Sequence, residues 1–129
     1  MVKVLLDTNF IIMILKYKID LFGELDRILD GKYEVILVDK SVNELEKLIN
    51  QSEGSRTSRI AKLALQLIDS EEIEIIRTEG DGDVDSLIVD LQDKNMIIAT
   101  QDKKLKERIK KSPKLIIKQK KYLQLQNVL

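Results

Sequence analysis

The spacing of apolar residues along the 129-residue chain constrains its fold more than any other feature. Short apolar or β-branched runs at residues 3–6, 33–38, 73–76 and 96–100 read as four buried strands, and 115–117 as a fifth. Between them, apolar residues recur every three to four positions, as in Leu21, Leu25, Ile28 and Leu29. The same period links Ile60, Leu63, Ala64, Leu67 and Ile68, and again Val84, Leu87, Ile88 and Leu91, so these stretches predict amphipathic helices. Strands alternating with helices give a parallel sheet covered on both faces, because parallel neighbours need crossover connections. A helix start is expected at Asp7-Thr8-Asn9, and another at Ser41-Val42-Asn43-Glu44, where Ser-x-x-Glu is the capping-box pattern. Gly31 is placed to end the second helix, and Pro113 to stop a short basic helix at 105–109. The polar stretch 50–58 reads as a mobile loop, and 118–129 as a basic and apolar tail after a domain spanning 1–117.

Two residue types are missing, and their absence narrows the chemistry. Without cysteine or histidine there is no disulfide framework, no thiolate or imidazole zinc site, no cysteine nucleophile and no histidine base. A chain of this length buries roughly two thirds of its unfolded surface, so its stability needs no such staple. The apolar start meets Asp7 too soon for a signal peptide, and no run approaches the roughly 20 apolar residues of a membrane span; a cytoplasmic protein without a membrane partner is expected. Lys and Arg number 22, as do Asp and Glu, but residues 103–121 hold ten basic residues and one acid, Glu107. That stretch is +9, so the remainder sums to −9.

The acids fall where strands end. Asp7 directly follows the first strand, Glu44 lies in the first turn of the helix after the second, Asp85 opens the helix after the third with Asp83 and Asp81 nearby, and Asp102 follows the fourth. Open parallel sheets bind ligands outside the carboxyl ends of their strands. Carboxylates gathered there repel one another unless a cation neutralises them, and hard oxygen donors suit Mg²⁺ or Mn²⁺. Such an ion lowers the pKa of bound water and offsets phosphate charge, which points to metal-assisted phosphodiester hydrolysis. Lys103, Lys104, Lys106, Arg108, Lys110 and Lys111 could then hold a nucleic-acid backbone. Helix capping is the competing role for Asp7, Asp102 and either Asp83 or Asp85, and the capping box for Glu44, each cap contributing roughly 0.5–2 kcal/mol. A calcium loop counted from Asp81 fails, with Ser86 in the glycine position and Gln92 in the glutamate position.

Leu5-Leu6-Asp7-Thr8-Asn9-Phe10-Ile11-Ile12 resembles the opening of PIN-domain proteins, in which a strand delivers an aspartate followed by Thr or Ser and Asn. Val42-Asn43-Glu44-Leu45 looks like the segment carrying that family's second acid, and Asp85-Ser86-Leu87-Ile88 like the third. Ile97-Ile98-Ala99-Thr100-Gln101-Asp102-Lys103-Lys104-Leu105 resembles its closing strand with Thr-x-Asp. The resemblance spans about residues 2–117. It implies a three-layer α/β/α sandwich with a mostly parallel sheet of four to five strands, and a divalent-metal-dependent ribonuclease. Asp7, Glu44, Asp85 and Asp102 would bind metal and act in catalysis, with Asp83 the alternative third acid, while Thr8, Asn9 and Thr100 would support them. The implied partners are RNA, an antitoxin protein or a ribosome-biogenesis factor, and a second copy in a homodimer, since the match lies near both the VapC-like toxin and archaeal rRNA-processing branches. The alternative is a non-catalytic PIN-like module that binds RNA or protein.

Overall fold

A computed structural model describes residues 1–51, 53–71 and 73–127. Its elements run β1 (Val2–Leu6), α1 (Thr8–Lys16), α2 (Leu21–Ile28), β2 (Tyr33–Val38), α3 (Asp39–Gln51), α4 (Arg56–Ser70), β3 (Glu74–Ile76), α5 (Val84–Leu91), β4 (Met96–Ala99), α6 (Lys103–Arg108), β5 (Lys114–Lys118) and β6 (Tyr122–Gln126). The strands form one sheet in the order β3-β2-β1-β4-β5-β6, parallel throughout except for the antiparallel β5–β6 pair.

Side chains that alternate along a strand divide the apolar residues between two helical layers. Val4 and Leu6 of β1, Val35 and Leu37 of β2, and Ile97 and Ala99 of β4 face the larger core, packed with residues of α1, α2, α3 and α4. Leu5, Ile36, Val38 and Ile98 face the smaller core beneath Val84 and Ile88 of α5 and Leu105 of α6. Both faces of the central strands are therefore dry, which is why their sequences read as continuous apolar runs.

Three expectations are corrected. The sheet has six strands rather than four to five, because Tyr122–Gln126, inside the stretch expected to be a tail, pairs with β5. That strand buries Leu123 and half-buries Leu125 between exposed Tyr122, Gln124 and Gln126, a half-covered edge pattern too weak to stand out in sequence. The stretch 50–58 is helical at both ends: α3 reaches Gln51 and α4 starts at Arg56, with a turn at 53–55. Ser55 caps α4 by accepting from the Ser58 N–H, and the Ser58 hydroxyl donates to the Ile49 carbonyl, so serines that suggested a loop instead close a tight α3–α4 corner. Ser52 lies outside the described residues. Third, α3 begins at Asp39, so Ser41 sits within the helix and is no N-cap. Among the described residues no helix is long and apolar enough to cross a membrane.

Candidate active site

Strand order reverses at β1, whose chain continues to β2 on one side while β4 flanks it on the other. Beyond the carboxyl ends of these strands opens a cleft of about 390 Å³, lined by Asp7, Thr8, Asn9, Glu44, Lys47, Leu48, Gln51, Asp85 and Asp102. This is where an open parallel sheet leaves a crevice. The four acids come from four different connections and share no local sequence.

Asp7 occupies the N-cap position of α1, yet its side chain makes no capping hydrogen bond. It is buried, and its Oδ2 accepts instead from the Thr100 hydroxyl at 3.0 Å. Burial pushes its carboxyl up to about 6; the Thr100 bond and the Thr8 backbone pull down, while Asp85 and Glu44 add repulsion. Thr100 is itself fully buried at the end of β4, and its oxygen accepts the Asp102 N–H at 3.0 Å. One hydroxyl thus ties the β1 acid to the β4 loop.

A second hydroxyl does the same for Glu44. The Thr8 oxygen lies 2.5 Å from Glu44 Oε1 and 2.8 Å from the Ser41 hydroxyl. Having a single proton, Thr8 donates to the carboxylate and accepts from Ser41. Ser41 and Glu44, expected as partners in a capping box, are both turned toward Thr8 instead.

The two remaining acids differ in how freely they face the cleft. Asp85 lies in the first turn of α5, half-buried, and burial raises its carboxyl, with Asp102, Asp83 and Glu44 adding repulsion and Arg108 opposing them. Asp102 caps α6, accepting the Leu105 N–H at 3.0 Å through Oδ1. Its Oδ2 is the freer of the two oxygens for a ligand, since Oδ1 already accepts one hydrogen bond. Asp83, the alternative to Asp85, is exposed and outside the cleft; it caps α5 by accepting the Ser86 N–H at 2.8 Å, and the Ser86 bonds hold its carboxyl below the usual value.

A family model described as "PIN like domain" matches residues 4–121. The chain belongs to the PIN family. It is 32% identical to Ribonuclease VapC4 of Methanocaldococcus jannaschii over 128 residues, 97% of each chain. It is 38% identical over 113 residues to the rRNA-processing protein fcf1 of Schizosaccharomyces pombe, matching 85% of this chain but only 54% of that longer protein. Among solved structures, one titled "Structure of the PIN domain endonuclease Utp24" superposes with a TM-score of 0.79 at 32% identity, covering 98% of this chain and 95% of that one. A domain of a functionally unknown M. jannaschii protein shares the fold, with a TM-score of 0.57 at 17% identity over 87% and 89% of the two chains.

Among the described residues of this PIN chain, no three acids converge closely enough to form a ready-made metal cage. The donor set still fits a hard cation: every candidate ligand is oxygen, the carboxylates repel one another, and none is ion-paired. Mg²⁺ commonly keeps several waters and is held through one or two carboxylates, so an open acidic cleft suits it better than a closed cage.

Of the basic residues singled out from the sequence, Lys103, Lys104, Lys106, Arg108, Lys110 and Lys111, none lines the cleft. Leu105 and Ile109 turn α6 and its exit onto the smaller core, and the Gln92 side-chain oxygen accepts the Lys110 and Lys111 N–H groups at 2.7 and 2.8 Å. Their side chains remain exposed except for half-buried Lys106, and Arg108 reaches the Ser86 hydroxyl at 3.4 Å beside the acids. The cation that does line the cleft is Lys47, which the sequence reading missed. Glu44, Lys47, Leu48 and Gln51 lie at i, i+3, i+4 and i+7, so a helical projection from Glu44 would have found them.

Proposed function

We propose that this PIN protein is an endoribonuclease dependent on Mg²⁺ or Mn²⁺, with Asp7, Glu44, Asp85 and Asp102 as its metal-binding and catalytic acids. The observation that carries the reading is Asp7, a buried carboxylate at a helix N-cap that is not used as a cap and faces other acids. Such an arrangement weakens the empty fold and becomes favourable only when positive charge enters the cleft. The relatives named as a ribonuclease and as a PIN domain endonuclease support RNA as substrate.

A bound divalent cation would supply an acidified water and offset charge on a phosphate. The chain's own part is positioning. Thr100 fixes the Asp7 carboxylate and the Asp102 backbone together, Thr8 fixes Glu44, and exposed Asn9 offers an amide to substrate at the rim. Purified protein should cleave single-stranded RNA when Mn²⁺ is added, and Asp7→Asn should lose this while remaining folded. Cleavage by the variant at the wild-type rate would falsify the assignment.

The use of Asp102 as a cap and the lack of three converging acids among the described residues favour a second reading, a PIN module that binds RNA without turnover. It predicts salt-sensitive RNA binding with neither cleavage nor thermal stabilisation by Mn²⁺. The nuclease reading serves a toxin restrained by an antitoxin protein or an rRNA-processing enzyme working with ribosome-biogenesis factors. Recovery of the tagged chain with a small inhibitor or with pre-ribosomal RNA separates these roles, and sedimentation tests the proposed homodimer.

A further inference from the structure

A second cavity, of about 260 Å³, lies beside the cleft and is lined by Lys40, Asn43, Glu44, Lys47, Asp83 and Val84. The two cavities share Glu44 and Lys47. Along α3 the lining residues fall at 40, 43, 44, 47, 48 and 51, one stripe at helical spacing, so a single helix face forms a wall common to both. The opposite wall is tied in place. Lys40 Nζ donates to the Gly80 carbonyl at 2.6 Å and reaches the Gly82 carbonyl at 3.4 Å, while Asp39 accepts both the hydroxyl and the N–H of Thr78 at 2.5 and 3.2 Å. The loop before α5 is thereby held against the start of α3, and the second cavity is preformed.

The charges along this trough are unequal. Lys40 is committed to backbone carbonyls, whereas exposed Lys47 makes no ion pair within 4.0 Å among the described residues and is the cation that lines the cleft. A cation on the wall between an acidic centre and a neighbouring cavity suits a group that carries negative charge yet must lie beside carboxylates. A phosphodiester next to the one being cleaved is such a group. Val84, 7% exposed, gives the cavity a small apolar floor, and exposed Asn43 gives an amide that can both donate and accept, which suits reading the edge of one base. The cavity is smaller than the roughly 300–1,000 Å³ of pockets for drug-sized ligands, which suits a single nucleotide rather than a folded RNA element.

We propose that the cavity between α3 and the start of α5 is the subsite for the nucleotide flanking the scissile phosphate of single-stranded RNA, with Lys47 holding its phosphate and Asn43 facing its base. The proposal rests on the nuclease reading above. Its test is steady-state cleavage of short single-stranded RNAs by the full chain in saturating Mn²⁺. Lys47→Ala should raise KM roughly fivefold and reduce the salt slope of RNA binding by about 0.7, the loss of one single-strand phosphate contact. Lys47→Arg should restore both, and Asn43→Ala should change which base is preferred beside the cut. Lys62→Ala, an exposed lysine of α4, should change nothing. In both Lys47 and Asn43 variants the thermal shift produced by Mn²⁺ should match wild type, showing that the acids still bind the ion. Unchanged KM and salt slope in Lys47→Ala, or an unchanged base preference in Asn43→Ala, would overturn the subsite. So would a Lys47→Ala variant whose only defect is an altered Mn²⁺ response, since that lysine would then merely balance the acids. A wild-type chain that binds RNA but never cleaves it refutes the nuclease reading instead.

Discussion

At the α2–β6 edge and at the β1–β4 cleft, acidic side chains receive opposite treatment. Glu24 of α2 accepts two hydrogen bonds from Arg27 at 2.9 and 3.0 Å and the Leu123 N–H at 2.8 Å, while Arg27 donates to the Leu123 carbonyl at 2.9 Å. These partners hold the Glu24 carboxyl below its ordinary 4.5, and together they occupy backbone groups that β6 would otherwise leave open at the sheet edge. Asp7 is more buried and has no cation partner among the described residues; its neighbours include acids, and its carboxyl is pushed up to about 6. Glu24 is paired where it ties β6 to α2, whereas Asp7 is left among like charges at the cleft. Stability given up at a functional site is a familiar trade.

The comparison breaks or sharpens most at Asp7. Replacing it with Asn should lower RNA cleavage by more than the roughly 10–100-fold typical of losing a supporting contact at a metal site. The same variant should be more stable than wild type without metal, by about 1–3 kcal/mol at neutral pH, as chemical denaturation would show. An Asn that destabilised the metal-free protein would mean that the Asp7 charge is compensated after all.

Next is the pH dependence of the metal-free fold. Between the ordinary 3.8 and about 6, folded Asp7 keeps a proton that the unfolded chain has lost. For Asp7 this makes stability fall as pH rises through that window, by at most about 3 kcal/mol; Asp7→Asn removes that share and leaves the slope of the same sign from Asp85, whose carboxyl burial also raises. Glu24 has the opposite sign: its stabilisation is present above 4.5 and disappears as pH drops below it. Equilibrium unfolding measured from pH 3 to 8 should show both limbs in wild type, and in the variant an unchanged acid-side limb with a shallower fall above it.

Thr100→Val should come third. It removes the bridge between Asp7 and the Asp102 N–H, with roughly a 10–100-fold loss of metal affinity or activity and about 1–2 kcal/mol of stability, readable by Mn²⁺ titration and denaturation. Glu24→Gln should have the smallest effect, a slightly lower Tm with cleavage unchanged. If cleavage fell as well, the two regions would not be independent.

Most of this architecture was legible because the central strands are buried on both faces, so their apolar runs are unbroken. β6 escaped notice because only one of its faces is covered. The α3–α4 corner was misread because serines that favour turns also bond to helix ends, as Ser55 and Ser58 do. Asp7, Glu44, Asp85 and Asp102 could be located from strand ends alone, but their local partners could not. Nothing in Ser41-x-x-Glu44 says that both side chains turn toward Thr8, 36 residues before Glu44. The choice between Asp83 and Asp85 likewise depended on which of two neighbouring carboxylates meets the Ser86 N–H. The density of lysines drew attention to 103–111, whereas the cleft is lined by one lysine on α3.

The central claim is that the cleft exchanges mutual repulsion for a divalent cation and then acts on RNA. It is tested most directly by titrating Mn²⁺ into wild type and Asp7→Asn while following Tm and cleavage of one single-stranded RNA. The account predicts that wild type gains Tm in a saturable way, with cleavage rising in step, and that the variant starts with the higher Tm, gains little and does not cleave. A wild type indifferent to Mn²⁺, or a variant that matches it in both readouts, would contradict the account.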